Sequence, residues 1–155
     1  MKILFVCLGN ICRSPMAEGI LHDRIEKNGL EGSWSVDSAG FEPFHNGDPP
    51  DNRAIYVAGK MGIDLSGLRA RLFHQDDFDT FDKIFVMDHK NYRDVIGRAR
   101  NLADQNKVDY ILNLTDPGKN LTVTDPWYGD IRDFEKVFLT LEKAIQTLLT
   151  TNLKS

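Results

Sequence analysis

Cysteine, excess positive charge and long apolar runs are all scarce in this sequence. Its 155 residues include only two cysteines, and 19 Lys and Arg are outnumbered by 23 Asp and Glu, which gives a net charge of −4. So few cysteines exclude a disulfide-rich secreted domain. The acidic balance argues against general binding to nucleic acid or anionic membranes, because such binding needs an excess of basic residues.

The first apolar run, residues 3–8, gives way to polar residues at Gly9 and Asn10. It is too short for a signal peptide or a membrane span, and no later run is longer. We therefore expect a cytoplasmic protein with reduced thiols, without a membrane or nucleic-acid partner, that acts as a monomer.

Short apolar segments alternate with helical patterns, and no repeat or linker divides the chain. A continuous apolar run is typical of a strand buried on both faces, whereas apolar residues three and four apart indicate a helix. This alternation predicts one α/β domain over residues 1–155, built on a parallel sheet. The predicted strands cover residues 2–8, 34–39, 83–88 and 108–114, and the predicted helices cover residues 15–28, 51–61, 91–99 and 134–149.

Parallel sheets bind ligands beyond the carboxyl ends of their strands, and the loop after the first strand is rich in reactive groups. Residues 7–15 (CLGNICRSP) join that strand directly to a helix. A loop of this length can turn its N–H groups inward, and such a nest at a helix N-terminus binds a tetrahedral dianion and stabilises the Cys7 thiolate. Arg13 can hold two phosphate oxygens. We expect Ser14 both to cap the helix, with Pro15 at its first position, and to donate a hydrogen bond to the thiolate.

A thiolate that attacks phosphorus needs an acid to protonate the leaving oxygen, and the loop after the fourth strand supplies one. Asp125 is the candidate, with Pro126 fixing the backbone beside it. Trp127 and Tyr128 follow at once, and their rings can bracket an aryl leaving group. An isolated Asp-Pro pair would indicate only a turn, but together with the cysteine loop it indicates a general acid.

These motifs resemble those of the low-molecular-weight protein tyrosine phosphatases over almost the whole chain. The resemblance implies a twisted four-stranded parallel sheet in the order 2-1-3-4, with helices on both faces and no metal or cofactor. It implies hydrolysis of phosphotyrosine-containing proteins or small aryl phosphates through a phosphocysteine intermediate. The motifs that carry it are residues 6–15 (VCLGNICRSP), 37–40 (DSAG), 49–51 (PPD), 70–71 (AR), 87–88 (MD) and 125–129 (DPWYG).

The same resemblance implies a role for each site residue. Cys7 is the expected nucleophile, Arg13 the phosphate clamp, and Asp125 the acid and then the base for water. Ser38 and Asn10 are expected to form a hydrogen-bonded pair that supports the loop. The whole phosphate-binding loop comprises Leu8, Gly9, Asn10, Ile11, Cys12 and Ser14.

Two positions in this resemblance bear on regulation and rigidity. Many members of the family have His where this chain has Leu68, and that His supports the loop asparagine. The departure concerns how firmly Asn10 is held and leaves the chemistry unchanged. Cys12 is expected to trap an oxidised Cys7 as a disulfide, a pairing for which the family is known; the alternative is a small buried filler.

Selectivity among phosphate esters must come from the walls around the leaving group, because the contacts of the loop end at the phosphoryl oxygens. Aromatic walls suit a phenyl ring that is long enough to bring its phosphate to Cys7, and phosphoserine is too short to do so. The predicted walls are Phe41, Trp127 and Tyr128, with Phe44 and His45 beside them and Leu8 and Ile11 as an apolar floor.

Three other functions are compatible with a cysteine loop of this kind. Arsenate reductases need further thiols, and none follows Cys12. Protein-arginine phosphatases typically carry Thr at the position of Ile11. A phosphate or redox sensor needs no proton donor, so Asp125 argues against it.

We expect all four histidines at the surface, and we expect Asp88 to cap a helix or to support the site.

Overall fold

Four short parallel strands form the centre of the fold. A computed structural model describes residues 1–153, and across the sheet its strands lie in the order second, first, third and fourth of the chain. Ile3 of the first strand lies opposite Val36 of the second, and Leu4 lies opposite Ile84 of the third. The predicted parallel sheet and its order are confirmed. The strands are β1 (Lys2–Val6), β2 (Ser35–Ala39), β3 (Lys83–Val86) and β4 (Val108–Tyr110).

Within residues 1–153, six α-helices surround the sheet, and none of them is long and apolar enough to cross a membrane. Of the two shortest, α3 and α5 below, only α5 was not expected from the sequence; the acidic cluster at residues 76–79 indicates the start of a helix, because acids favour that end. The helices are α1 (Arg13–Lys27), α2 (Asn52–Lys60), α3 (Asp77–Thr80), α4 (His89–Ile96), α5 (Leu102–Asn106) and α6 (Ile131–Leu153), and 3-10 turns occupy Pro43–His45, Ile111–Leu114 and Pro126–Tyr128.

The central strand divides the core in two, because successive residues of a strand point to opposite faces. Ile3 and Phe5 belong to a buried cluster that also contains apolar side chains of α1, α2 and α6. Leu4 and Val6 belong to a second cluster that includes Val95 of α4. Helices therefore cover both faces of the sheet, as predicted.

The fourth strand is shorter than the sequence pattern indicates. Residues 108–114 were expected to form one strand, but β4 ends at Tyr110 and the chain turns into the 3-10 turn Ile111–Leu114. Ile111 is fully buried in the first cluster, and Leu112 and Leu114 pack against that cluster. A short apolar run looks the same whether a strand or a tight turn buries it, so the pattern could not separate the two.

The first helix begins earlier than expected, and this changes the role of Ser14. The helix starts at Arg13, and Cys12 occupies the N-cap position without a side-chain capping bond. Pro15 is thus the third helical residue, and Ser14 does not cap the helix. Its hydroxyl is instead available to the site, where it contacts Cys7.

Candidate active site

One cavity of about 420 Å³ is lined by the loops that follow β1, β2 and β4. It therefore lies beyond the carboxyl ends of parallel strands, where ligands of such sheets bind. Most of the predicted site residues meet there. The lining comprises Cys7, Leu8, Gly9, Ile11, Cys12, Arg13, Glu42, Phe44, His45, Asp125, Trp127 and Tyr128.

The loop after β1 bends sharply at Asn10, whose φ of 56° lies in the left-handed region. Asn tolerates that conformation better than most residues. The loop also contacts the chain after β2. The Leu8 carbonyl accepts hydrogen bonds from the N–H groups of Phe41 and Glu42, at 2.8 and 2.9 Å. A Cβ at Gly40 would lie 2.8 Å from the Leu8 oxygen, so only glycine permits this close approach.

The side chain of Asn10 joins two hydroxyls to the nucleophile candidate. The backbone N–H of Arg71 donates to Asn10 Oδ1 at 3.0 Å, which fixes the orientation of the amide. Asn10 Nδ2 then donates to Ser14 Oγ and Ser38 Oγ, each at 2.8 Å. Because the Ser14 oxygen already accepts, its one proton is available to Cys7 Sγ, 3.0 Å away.

Arg13 is a buried cation held by acceptors on three sides. Its side chain is 2% exposed, and Nη1 donates to Asp88 Oδ2 at 2.8 Å and to the Val123 carbonyl at 2.9 Å. Nη2 lies 3.6 Å from Asp125 Oδ2. Burial opposes its charge, but the negative charges at Cys7, Asp88 and Asp125 outweigh burial and raise the pKa of Arg13. The guanidinium thus remains charged in the cavity.

Asp125 stands at the start of the 3-10 turn Pro126–Tyr128. Its Oδ1 accepts the backbone N–H of Trp127 at 3.1 Å, while Oδ2 faces Arg13. The side chain is 38% exposed. One carboxylate oxygen is therefore committed to the turn, and the other is free to exchange a proton in the cavity.

Aromatic side chains form the rim of the cavity. Tyr128 is 94% exposed and Phe44 is 81% exposed, although apolar rings of this size are usually covered. The His45 ring meets Phe44 and Trp127 edge-on, with centroids 5.0 and 5.7 Å apart. His45 was expected at the surface with the other histidines, but its side chain is only 19% exposed, because these two rings cover it.

Phe41 does not line the cavity, and its prediction as a substrate wall is wrong. Its ring stacks on Phe73 with centroids 5.3 Å apart, and it packs against the second core cluster. The chain after β2 continues the sheet briefly, because Gly40 pairs with Leu72 and its carbonyl accepts the N–H of Phe73. This pairing turns Phe41 away from the phosphate loop.

Comparison with known proteins assigns the family. The sequence profile of the low molecular weight phosphotyrosine protein phosphatases matches residues 2–155. The chain belongs to this family. It is 43% identical to a putative low molecular weight protein-tyrosine-phosphatase of Synechocystis sp., over 97% of this chain and 96% of that one. The low molecular weight phosphotyrosine protein phosphatase of Homo sapiens is 39% identical, over 88% of this chain and 86% of that one.

Solved structures agree with this assignment. A protein tyrosine phosphatase from Entamoeba histolytica, crystallised with Hepes in the active site, superposes with a TM-score of 0.91 at 34% identity, over 99% of this chain and 97% of that one. YfkJ from Bacillus subtilis superposes with a TM-score of 0.85 at the same identity, over 99% and 95%. These similarities cover nearly the whole chain and therefore include the loops that line the cavity.

Leu68 occupies the position at which the resemblance described above implied a histidine that supports Asn10. Its side chain packs against the first core cluster and offers Asn10 no hydrogen bond. Asn10 nevertheless has three partners, which are the Arg71 N–H and the hydroxyls of Ser14 and Ser38. The asparagine is therefore held by other residues.

Cys12 differs from Cys7 in its setting. Both thiols are free and buried. Burial, assisted by the negative charges at Cys7, Asp51 and Asp125, raises the pKa of Cys12 well above its usual range. Cys12 therefore stays a neutral thiol at physiological pH.

No three His, Cys, Asp or Glu side chains in the described part of the chain come together as a metal site requires.

Sequence reasoning missed Arg53, which joins the two loops of the site. Its guanidinium pairs with Asp51 and donates to the carbonyls of Trp127 and Gly129 at 3.1 and 2.9 Å. The Asp51 N–H in turn donates to the Ile11 carbonyl at 2.8 Å. No spacing in the sequence relates Arg53 to residues more than seventy positions away, so only the fold reveals it.

Glu18 was missed as well, although a weak signal was present. It lies three residues before Leu21 and seven before Ile25, on the apolar stripe of α1. A charged residue at such a position is unusual. In the structure its Oε1 accepts the hydroxyl proton of Ser38 at 2.5 Å.

Proposed function

We propose that this chain hydrolyses aryl phosphate monoesters, above all phosphotyrosine in proteins, through a phosphocysteine intermediate. The observation that carries the proposal is the meeting of Cys7, Arg13 and Asp125 in one cavity with an aromatic rim. A nucleophile, an anion clamp and an exposed carboxyl are the three groups that this reaction needs.

In the first step the phosphate enters the loop and is held by the Arg13 guanidinium and the inward N–H groups at the start of α1. The Cys7 thiolate attacks phosphorus, so that an S–P bond forms while the P–O bond to the aryl group breaks. Asp125 gives its proton to the departing phenolate oxygen. The hydroxyl of Ser14, 3.0 Å from the sulfur, stabilises the thiolate before attack.

In the second step Asp125, now a carboxylate, takes a proton from water. The hydroxide formed in this way attacks phosphorus, the S–P bond breaks, and inorganic phosphate and the Cys7 thiolate are released. Arg13 stays charged throughout and stabilises the negative charge on the equatorial oxygens. Every group used comes from one chain, which supports action as a monomer. The cytoplasm keeps thiols reduced, so the free thiols of Cys7 and Cys12 support a cytoplasmic location.

The aromatic rim supports phosphotyrosine as the substrate. Phe44, Trp127 and Tyr128 stand where the leaving group must lie if its phosphate is in the loop. Flat rings stack favourably on such walls. A serine side chain would leave the phosphate short of Cys7 while its backbone stayed outside the rim.

The experiment that tests the proposal compares turnover of phosphotyrosine, phosphoserine and phosphoarginine peptides and of arsenate. We expect kcat/KM for phosphotyrosine to exceed that for phosphoserine at least ~100-fold. Acid quench of the wild type should trap phosphate on Cys7, and Cys7→Ser should lose several orders of magnitude in rate while still binding vanadate. Equal turnover of phosphoarginine, or activity retained in Cys7→Ser, would overturn the assignment.

A further inference from the structure

The phosphate loop has a second anchor outside the cavity, at Glu18. This residue lies in the second turn of α1, half-buried, and its carboxyl faces β2. Glu18 Oε1 accepts the Ser38 hydroxyl at 2.5 Å, the shorter of the two hydrogen bonds that Ser38 Oγ makes. Nothing in the reaction described above uses this carboxyl.

Counting protons fixes the direction of the hydrogen bonds between Glu18 and the sulfur. The Arg71 N–H can only donate, so Asn10 must present its amide nitrogen to both hydroxyls. Each hydroxyl oxygen accepts one of these protons and has one of its own to give. Ser14 can give its proton to Cys7, and Ser38 can give its own proton to Glu18.

An acceptor at Glu18 therefore has consequences at the sulfur. Without it, the Ser38 proton has no acceptor in this position and the hydroxyl can rotate toward Asn10. The Asn10 amide would then lose the acceptor of one of its two protons, and its left-handed backbone would lose part of its support. Because the other proton of the same amide sets the direction of the Ser14 hydroxyl, the hydrogen bond to Cys7 would weaken too.

The surroundings of Glu18 make this acceptor sensitive to pH. Burial raises the pKa of Glu18 to about 7; the Ser38 hydrogen bond opposes this shift, the Asp37 charge adds to it, and the Arg71 charge opposes it. A cavity beside the carboxyl is lined by apolar Leu68 and by further titratable side chains. Those side chains are His22, Asp23, Glu26 and Asp64.

We propose that Glu18 is a positioning residue of the phosphate loop. By accepting the proton of Ser38, Glu18 holds Asn10 and Ser14 in the orientation in which Ser14 donates to Cys7. The inference rests on the proposed function, because it takes Cys7 as the nucleophile. An ionised carboxylate accepts a hydrogen bond about twice as strongly as a neutral group. The anchor is therefore strongest above neutral pH and weakens as Glu18 gains a proton.

Three variants separate the acceptor from the charge. Glu18→Leu removes both, and Glu18→Gln keeps an acceptor without the charge. Glu26→Leu is the control on the same helix, eight residues further along, where the carboxylate is exposed and pairs with His22. The first measurement is the rate at which iodoacetate alkylates Cys7 from about pH 5 to about pH 9, with the modified cysteine identified by mass spectrometry. The second is kcat/KM on a phosphotyrosine peptide, with the dissociation constant of inorganic phosphate.

We expect Glu18→Leu to lower the alkylation rate and kcat/KM about tenfold at pH 8, as loss of one hydrogen bond predicts. Glu18→Gln should stay within about threefold of the wild type and should lack the inflection near neutral pH that the wild type shows. Glu26→Leu should match the wild type in every measurement. If Glu18→Leu matches the wild type, or if the wild-type inflection persists in Glu18→Gln, the proposal is overturned.

Two further arrangements keep the result unambiguous. If Glu18→Leu does not fold, two other variants are compared in its place: Ser38→Ala alone and Ser38→Ala combined with Glu18→Gln. The proposal requires that Glu18→Gln has no effect once the Ser38 hydroxyl is gone. An undiminished effect of Glu18→Gln overturns the proposal. If the wild type fails to hydrolyse phosphotyrosine, the proposed function fails, but the alkylation profile of Cys7 still decides the role of Glu18.

Discussion

Arg13 and Asp88 form an ion pair beyond the carboxyl ends of the neighbouring strands β1 and β3, with Arg13 Nη1 2.8 Å from Asp88 Oδ2. The other carboxylate oxygen of Asp88 accepts the N–H of Asn91 at 2.9 Å and so caps α4. Burial opposes the charge of Asp88, but the N–H of Asn91 and the guanidinium of Arg13 together lower its pKa. One side chain thus serves both the helix and the site, and both roles considered from the sequence are present.

The two roles of Asp88 can be separated by substitution. Asn caps helices about as well as Asp, whereas Ala does not. We expect Asp88→Ala to unfold in urea with a free energy about 1 kcal/mol lower than that of Asp88→Asn, because only the alanine variant loses the cap.

Both Asp88 variants should lower kcat/KM by about tenfold or more, since both leave the buried Arg13 without the carboxylate that is hydrogen-bonded to it. Denaturation curves and phosphotyrosine kinetics check the two expectations independently. Equal unfolding free energies would show that the cap contributes little, and unchanged kinetics in Asp88→Asn would show that Val123 alone suffices to orient Arg13.

Arg53 of α2 is hydrogen-bonded to the loop that carries Asp125. It donates to the Trp127 and Gly129 carbonyls, and its guanidinium carbon lies 4.5 Å from the centroid of the Phe134 ring. These contacts hold the loop that carries Asp125 without touching the position of the phosphate. Loss of Arg53 should therefore affect proton transfer more than phosphate binding.

We expect Arg53→Gln to lower kcat on phosphotyrosine about tenfold while the inhibition constant of inorganic phosphate stays within about twofold. Arg132→Gln is the matched control. The Arg132 side chain is 84% exposed, and within residues 1–153 its one ion pair is with Asp130. Steady-state kinetics with phosphate as the inhibitor provide the readout. A parallel loss of kcat and phosphate binding would indicate that Arg53 supports the phosphate loop instead.

Asp125 has a specific signature as a general acid, because the benefit of protonation grows with the basicity of the leaving oxygen. We expect Asp125→Asn, which preserves an acceptor for the Trp127 N–H, to lose about 10²–10⁴-fold in kcat/KM on phenyl phosphate. Esters of strongly acidic phenols should lose far less in kcat/KM, which does not include the second step that all esters share. The slope of log kcat/KM against leaving-group pKa measures this directly, and an unchanged slope would leave Asp125 with only a structural role in the first step.

The parts of the site that could be predicted are those that the chain holds together locally. Cys7, Arg13 and Ser14 lie on one strand–helix junction, and their spacing together with that junction indicated a phosphate loop. The fold followed for a similar reason, because buried-type strands that alternate with helices admit few topologies.

The parts that could not be predicted depend on long-range pairing. Phe41 was expected in the rim because it follows β2, but beside the pairing of Gly40 with Leu72 its partly buried ring packs against the second core cluster. Arg53 and Glu18 act on residues that lie 20 or more positions away in the chain. Helical periodicity places such residues on a face but does not say what that face meets.

Tyr128 tests whether the rim selects the substrate. Its ring lines the cavity and is 94% exposed, so its removal should cost little stability. We expect Tyr128→Ala to reduce the preference for phosphotyrosine over phosphoserine, which we place at ~100-fold or about 2.7 kcal/mol of transition-state binding. Inhibition by inorganic phosphate should stay nearly unchanged, because the contacts of the phosphate end in the loop.

The matched control is Tyr56→Ala, since Tyr56 is also exposed but lies on α2 beside Lys60 and outside the cavity. Ratios of kcat/KM for paired peptides that differ only in the phosphorylated residue measure the preference in each variant. If Tyr128→Ala keeps the full ratio, the ring is idle and selectivity must arise from Trp127 and Phe44. If Tyr56→Ala loses it equally, the effect is general to exposed aromatic residues, and the rim has no part in choosing the substrate.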